Sequence, residues 1–155
     1  MNHILLLDDE ENILYALRRL LMHMPCIWEG VTYPLQIEVF HDPFEALEHV
    51  QKNTLDLIIA DYRMPGMDGV TFLRKCREIQ PLAARMILSG YADMDAMISA
   101  VNEAQIYRFL QKPWGEYELV ANIGQCLAHH HQQVEHRRLA EVARQYECHA
   151  HPENI

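Results

Sequence analysis

Leu57-Ile58-Ile59-Ala60-Asp61-Tyr62-Arg63-Met64-Pro65-Gly66-Met67-Asp68-Gly69 is the stretch on which the fold turns. Leu57 to Ala60 is a short apolar run, read as a buried strand over 56–60. It stops at a carboxylate, Asp61, and the turn signals Pro65, Gly66 and Gly69 follow. A strand that ends this way carries Asp61 to the rim of a packed sheet. In open α/β sheets, ligands bind at the carboxyl ends of the strands. Whether Asp61 is a reactive group or a loop acid depends on what the other strands bring to that rim.

The same pattern recurs on both sides. Ile4 to Leu7 is an all-apolar run ending in Asp8-Asp9-Glu10-Glu11, as expected of a strand buried on both faces. Ile13, Leu14, Leu17, Leu20 and Leu21 then fall at helical spacing, and Pro25 ends that helix near Met24. Residues 25–35, with Trp28, Gly30, Tyr33 and Pro34, make a longer connection than most; part of it either packs down or lengthens the next strand. The second strand reads as Gln36 to Phe40. Asp42 and Pro43 then start a helix as N-cap and first residue, with Phe44, Leu47 and Val50 on its apolar face.

Beyond the opening stretch, Asp68 caps a third helix carrying Val70, Phe72, Leu73, Cys76 and Ile79, which Pro81 terminates. Met86 to Leu88 is a fourth strand, followed by Ser89-Gly90-Tyr91-Ala92-Asp93 and a helix with Met94, Met97, Ile98 and Val101. Ile106 to Leu110 is a fifth strand, ending in Gln111-Lys112-Pro113-Trp114. A helix from about Glu116 turns Leu119, Val120, Ile123 and Leu127 inward. This alternation of short apolar strands and helices implies an α/β fold, a doubly wound parallel (βα)5 sheet covered on both faces.

Composition bounds the function. The chain has 155 residues, half of them hydrophobic, and a net charge of −9. That suits one domain with residues to spare and opposes direct binding of a nucleic-acid backbone, which needs clustered cations. Cys26, Cys76, Cys126 and Cys148 match neither a zinc spacing nor a disulfide framework. No apolar stretch reaches membrane-spanning length, and the N-terminus enters a strand without a signal-peptide pattern, so the chain reads as cytoplasmic.

Parallel strands place their C-terminal ends along one edge. Asp8 and Asp9 lie there after the first strand, Asp61 after the third, Ser89 after the fourth and Lys112 after the fifth. Clustered carboxylates repel unless a cation intervenes, and Mg²⁺ takes one or two carboxylates, waters and a phosphate oxygen. With such an ion present, Asp61 can act as an ionised nucleophile towards phosphorus. The ion and Lys112 would neutralise charge on the transferring group, Ser89 would hydrogen-bond it, and Gly90 would leave it room. Singly, an Asp-Asp pair is most often a turn or cap, Lys-Pro a surface feature and Ser-Gly a turn. Jointly, each falls at the end of a different strand.

Those pieces resemble the receiver domain of two-component response regulators. LLLDDE at 5–10, LIIADYRMPGMDG at 57–69, LSGYAD at 88–93 and FLQKP at 109–113 come in that family's order and cover about residues 3–128. The resemblance implies a flavodoxin-like fold with strand order 2-1-3-4-5. It also implies that Asp61 is the phosphoacceptor, Asp9 a direct Mg²⁺ ligand, Asp8 a ligand through water, and Arg63 a ligand through its backbone carbonyl. Ser89 matches the switch hydroxyl, Lys112 the phosphoryl-contacting lysine, and Phe109 the aromatic switch; Tyr107 has the wrong offset. A sensor histidine kinase or phosphotransfer protein is the implied partner. The implied output is a change in the surface of helix four, strand five and helix five. Arg63 and Tyr91 beside the site are expected to alter water access and the lifetime of the acyl phosphate.

The alternatives are weaker. A Mg²⁺-dependent phosphohydrolase with an aspartyl intermediate would want a second acid two residues past Asp61, where Arg63 stands. A nucleotide or flavin binder would want a G-x-G-x-x-G or Walker A sequence, and neither is present. The domain division expected is 1–128 for the receiver and 129–155 for a helical extension running to about Tyr146. Its weak apolar stripe (Val134, Leu139, Val142, Tyr146) suits a dimerising helix and a linker helix equally, so self-association through it or through the switch surface stays open. His129, His130 and His131 point in different directions on a helix and read as surface residues rather than one metal site.

Overall fold

Strands without a polar face must be covered on both sides, and the computed structural model, which describes residues 1–90 and 93–150, shows how. In chain order the elements are β1 (Asn2–Leu7), α1 (Glu11–His23), β2 (Ile27–Trp28), β3 (Val31–Thr32), β4 (Leu35–Phe40) and α2 (Pro43–Lys52), followed by β5 (Leu57–Asp61), α3 (Gly69–Ile79), β6 (Ala84–Ser89), α4 (Met94–Ala104), β7 (Arg108–Gln111) and α5 (Glu116–Ala150). Five strands form one sheet in the order β4-β1-β5-β6-β7, with every neighbouring pair parallel. With the small β2–β3 pair set aside, this is the expected 2-1-3-4-5 order of a flavodoxin-like fold.

Alternate residues of each strand feed opposite cores. Leu5, Leu7, Ile58, Ala60 and Ile87 pack with α2, α3 and α4, through Ala46, Val50, Phe72, Leu73 and Met97. Ile4, Leu6, Leu57, Ile59, Met86 and Leu88 pack with α1 and α5, through Leu14, Leu17, Leu21, Val120, Ile123 and Leu127. The two faces explain why the strands read as unbroken apolar runs. Asp42 accepts from the Phe44 N–H at 2.9 Å and Asp68 from the Thr71 N–H at 2.8 Å, so both expected caps form. Two helix faces differ from the sequence reading. Phe44 is exposed and lies against Gly66 of the β5–α3 loop, leaving Ala46 and Val50 to enter the core. Ile98 is also exposed, while Met97 is buried.

Residues 25–35 do both things the sequence left open. Leu35 lengthens the second sheet strand, and β2 and β3 form an antiparallel hairpin against α5. Its turn residues Glu29 and Gly30 both have positive φ, at 50° and 79°, as a two-residue hairpin matching strand twist requires. The hairpin sits so close to α5 that a Cβ at Gly124 would stand 2.9 Å from Trp28 Cβ.

β6 starts earlier than expected because Arg85 is buried rather than a boundary. Its guanidinium donates to the carbonyls of Ala104, Ala83 and Gln105 at 3.0, 2.8 and 3.2 Å, satisfying the C-terminal end of α4. The expected last strand loses Ile106 and Tyr107, since the backbone turns left-handed at Gln105 (φ 48°) before β7 begins.

α5 runs past Tyr146 to Ala150, and from 132 to 149 every residue is exposed. The surface reading of the three histidines is corrected for His130 and His129, while His131 is exposed as expected. His130 is buried with its Nε2 2.8 Å from Asp56 Oδ1, and His129 stacks on Tyr107 with ring centroids 3.9 Å apart. Periodicity could not foresee partners on distant loops. Among the described residues, no helix is long and apolar enough to cross a membrane.

Candidate functional site

Backbone bonds hold the loop entrances at the C-terminal edge. Asp8 N–H donates to the Phe40 carbonyl at 3.2 Å, Tyr62 N–H to Leu88 at 2.9 Å, and Lys112 N–H to Ser89 at 2.7 Å. Each residue after a strand therefore starts from a fixed position. Asp61 is itself the last residue of β5, in register with Leu88, and Ser89 ends β6 opposite Gln111.

Asp8, Asp9 and Asp61 converge, with one oxygen of each within 4.8 Å of the others. Lys112 Nζ donates to Asp61 Oδ1 at 2.8 Å and lies 3.8 Å from Asp8 Oδ2. Asp8 and Asp61 are buried, whereas Asp9 is exposed. Burial pushes the Asp8 carboxyl up to about 6, against the Glu10 N–H that it accepts. Burial also raises Asp61, partly offset by Lys112. Lys112 loses hydration, yet its hydrogen bond to Asp61 and the surrounding carboxylates hold its ammonium above the ordinary value.

Among the described residues, two buried polar atoms here have no hydrogen-bond partner, Asp8 Oδ2, whose ion pair with Lys112 is 3.8 Å long, and Ser89 Oγ. An orphaned carboxylate oxygen in a set made only of oxygen donors fits a hard divalent cation such as Mg²⁺, with Asp8, Asp9 and Asp61 as the residues to hold it. Ser89 Oγ likewise has a proton to donate to an oxygen not belonging to the protein.

Gly69 and the Arg63–Asp93 pair were not read from sequence as parts of the site. A Cβ at Gly69 would lie 2.2 Å from the Asp61 carbonyl oxygen, so only glycine lets α3 begin against the backbone of the acid. Arg63 Nε donates to Asp93 Oδ1 at 2.8 Å, tying the loop after β5 to the start of α4. Asp93 is buried while the Arg63 side chain is largely exposed. Thirty positions separate the two residues, and nothing in the local pattern pairs them. Among the described residues, a Cβ at Gly90 would meet only Asp93 Oδ2, at an ordinary 3.8 Å. Phe109, in register with Ile87 on the edge strand, is 40% exposed. Tyr91 lies outside the described residues.

The comparisons with known proteins agree with one another. A model of the response regulator receiver domain matches residues 4–124. The hydrogenase transcriptional regulatory protein HoxA of Cupriavidus necator is 33% identical over 124 residues, which is 80% of this chain and 24% of that protein. The DNA-binding transcriptional regulator NtrC of Escherichia coli is 30% identical over 132 residues, 85% of this chain and 26% of that protein. The crystal structure of the signal receiver domain of an HD domain-containing protein from Pseudomonas fluorescens superposes with a TM-score of 0.76 at 34% identity, covering 86% of this chain and 92% of that one. The chain thus spans about a quarter of the length of these curated relatives.

Proposed function

The chain belongs to the response regulator receiver domain family of two-component systems, and we infer from that premise that Asp61 is the residue on which the signal is written. A sensor histidine kinase or phosphotransfer protein presents a phosphohistidine. An Asp61 carboxylate oxygen attacks phosphorus, the P–N bond breaks, and its electron pair leaves with the imidazole, forming an acyl phosphate on Asp61.

The observation that carries this reading is the set Asp8, Asp9, Asp61 and Lys112 closed around one point beside an unpartnered Ser89 hydroxyl. Lys112 contacts Asp61 before transfer and the phosphoryl oxygens after it. Ser89 turns its hydroxyl to the phosphoryl group, and Phe109 follows into the space vacated. Asp8, Asp9 and Asp61, with the Arg63 backbone carbonyl, would hold Mg²⁺, and the ion when bound would supply charge neutralisation on the transferring group. The readout surface is that of α4, β7 and α5, where Ile98, Phe109 and Tyr117 are exposed apolar groups available to a partner or a second copy. In a longer protein built like the relatives above, output such as DNA binding would belong to the part this chain does not span, with residues 129–155 as the connection.

The test is an intact mass measured after incubation with a small-molecule phosphodonor and Mg²⁺. One added phosphoryl group on the wild type, absent from Asp61→Asn, is expected; an adduct of equal yield on the variant would sink the assignment.

A further inference from the structure

Asp56, His130 and His131 form a second cluster at the edge of the sheet opposite Asp61. Asp56 precedes β5 and the histidines lie on α5, and one ligand atom of each is within 4.8 Å of the other two. His130 Nδ1 is 2.7 Å from the Leu82 carbonyl. A carbonyl only accepts, so Nδ1 carries a proton; a carboxylate oxygen only accepts too, so Nε2 donates to Asp56 Oδ1 at 2.8 Å and His130 is an imidazolium paired with Asp56. The other oxygen of Asp56 accepts the His3 N–H at 2.7 Å, which fixes the carboxylate.

His131 is held in the same manner. Its Nε2 is 2.7 Å from Asn2 Oδ1, and the Asn2 amide is oriented by donating its Nδ2 to the Pro34 carbonyl at 3.0 Å. Tyr33 stacks on the ring at 6.0 Å. His131 therefore has one N–H tied to a protein oxygen and Nδ1 left with a lone pair, whereas His130 offers Nε2 to a cation by releasing to solvent the proton it shares with Asp56. Histidines that bind metals are held this way, the outer hydrogen bond fixing tautomer and ring orientation. A cavity of about 650 Å³, lined in part by Asp56, Gln80, His130, His131 and Arg137, connects the cluster to solvent.

We propose that Asp56, His130 and His131 bind a borderline divalent transition-metal ion, of which Zn²⁺ is the type, and that the ion pins α5 to the N-terminal edge of the sheet. Two imidazoles and one carboxylate suit Zn²⁺, Co²⁺, Ni²⁺ or Cu²⁺ rather than Mg²⁺. Tetrahedral coordination at about 2.0–2.2 Å sets ligand atoms roughly 3.3 Å apart, so ligand atoms now within 4.8 Å of one another would draw together on binding. Neighbouring helix residues diverge, and this pair converges only because its third donor comes from another segment. Water completes the coordination. The proposal is independent of the phosphorylation reading, because it shares no residue with the Asp61 site.

The test uses the full chain, stripped with chelator and kept in excess Mg²⁺ to occupy the acidic cluster, then titrated with Zn²⁺ or Co²⁺. Calorimetry should give one equivalent, Co²⁺ should show nitrogen-ligand absorption in the visible, and Zn²⁺ should raise the melting temperature. H131Q, at an exposed position, should weaken Zn²⁺ binding by at least about tenfold and abolish the thermal shift. D56N should do the same, while H136Q and D61N should bind like the wild type. Absence of stoichiometric binding by the wild type, or equal binding by H131Q and D56N, would overturn the proposal.

Discussion

Asp8 bears the electrostatic cost of the carboxylate cluster. Its folded value of about 6 lies above the ordinary 3.8, so between those limits the native state binds more protons than the unfolded chain. In metal-free protein, stability from this group therefore falls as pH rises through that window, and the whole penalty is felt above about pH 6. We expect Asp8→Asn to stabilise the chelator-treated protein at pH 7 by on the order of 1–3 kcal/mol in urea unfolding. The same substitution should blunt the stabilisation of the wild type by Mg²⁺. Gly69 makes the opposite case: Gly69→Ala forces a methyl into the Asp61 carbonyl. It should lose about 1–3 kcal/mol, and phosphoryl uptake from a small donor should slow with it. Asp61, Lys112 and Ser89 were legible as candidates because strand ends can be counted along a sequence. Gly69 was legible only as a turn residue, since the atom it approaches belongs to another element's backbone.

The β2–β3 hairpin was invisible at the element scale for a related reason. Two-residue strands have no alternation to read, and Glu-Gly is a poor turn signature beside Asn-Gly. Glu29 holds a positive φ of 50° without glycine's freedom. Glu29→Asn should stabilise the protein by roughly 0.5–1 kcal/mol, measured by chemical denaturation. Gly124→Ala should destabilise it, because the added carbon meets Trp28 at 2.9 Å. α5 was legible as a helix from its inward residues and its lack of breakers. Its docking was not, because it rests on Asp56, Leu82 and Asn2, each far from the histidines in sequence.

For the whole molecule, α/β alternation was sufficient to anticipate a parallel sheet covered on both faces, whereas the strand order followed from the resemblance to receiver domains. The chain length at which the globular body ends was harder to judge. A chain stopped after residue 128 removes the His130 partner of half-buried Asp56, and should melt several degrees lower, at about 2–4 °C per kcal/mol lost. A chain stopped after 133 keeps those contacts and should melt close to the full chain. Scanning calorimetry of the two truncations in chelator distinguishes contributions of the docked turn from those of the exposed helix.

The exposed part of α5 has a mechanical meaning. At about 1.5 Å per residue, the turns from 132 to 150 project roughly 28 Å from the last docked histidine. That length makes the helix a lever with its fulcrum at the edge of the sheet. A rotation of about 5° at the base sweeps the tip through roughly 2.5 Å, enough to break register with anything gripping it. Small rearrangements of α5 against β7 are thereby amplified at the tip, without the body of the domain changing shape.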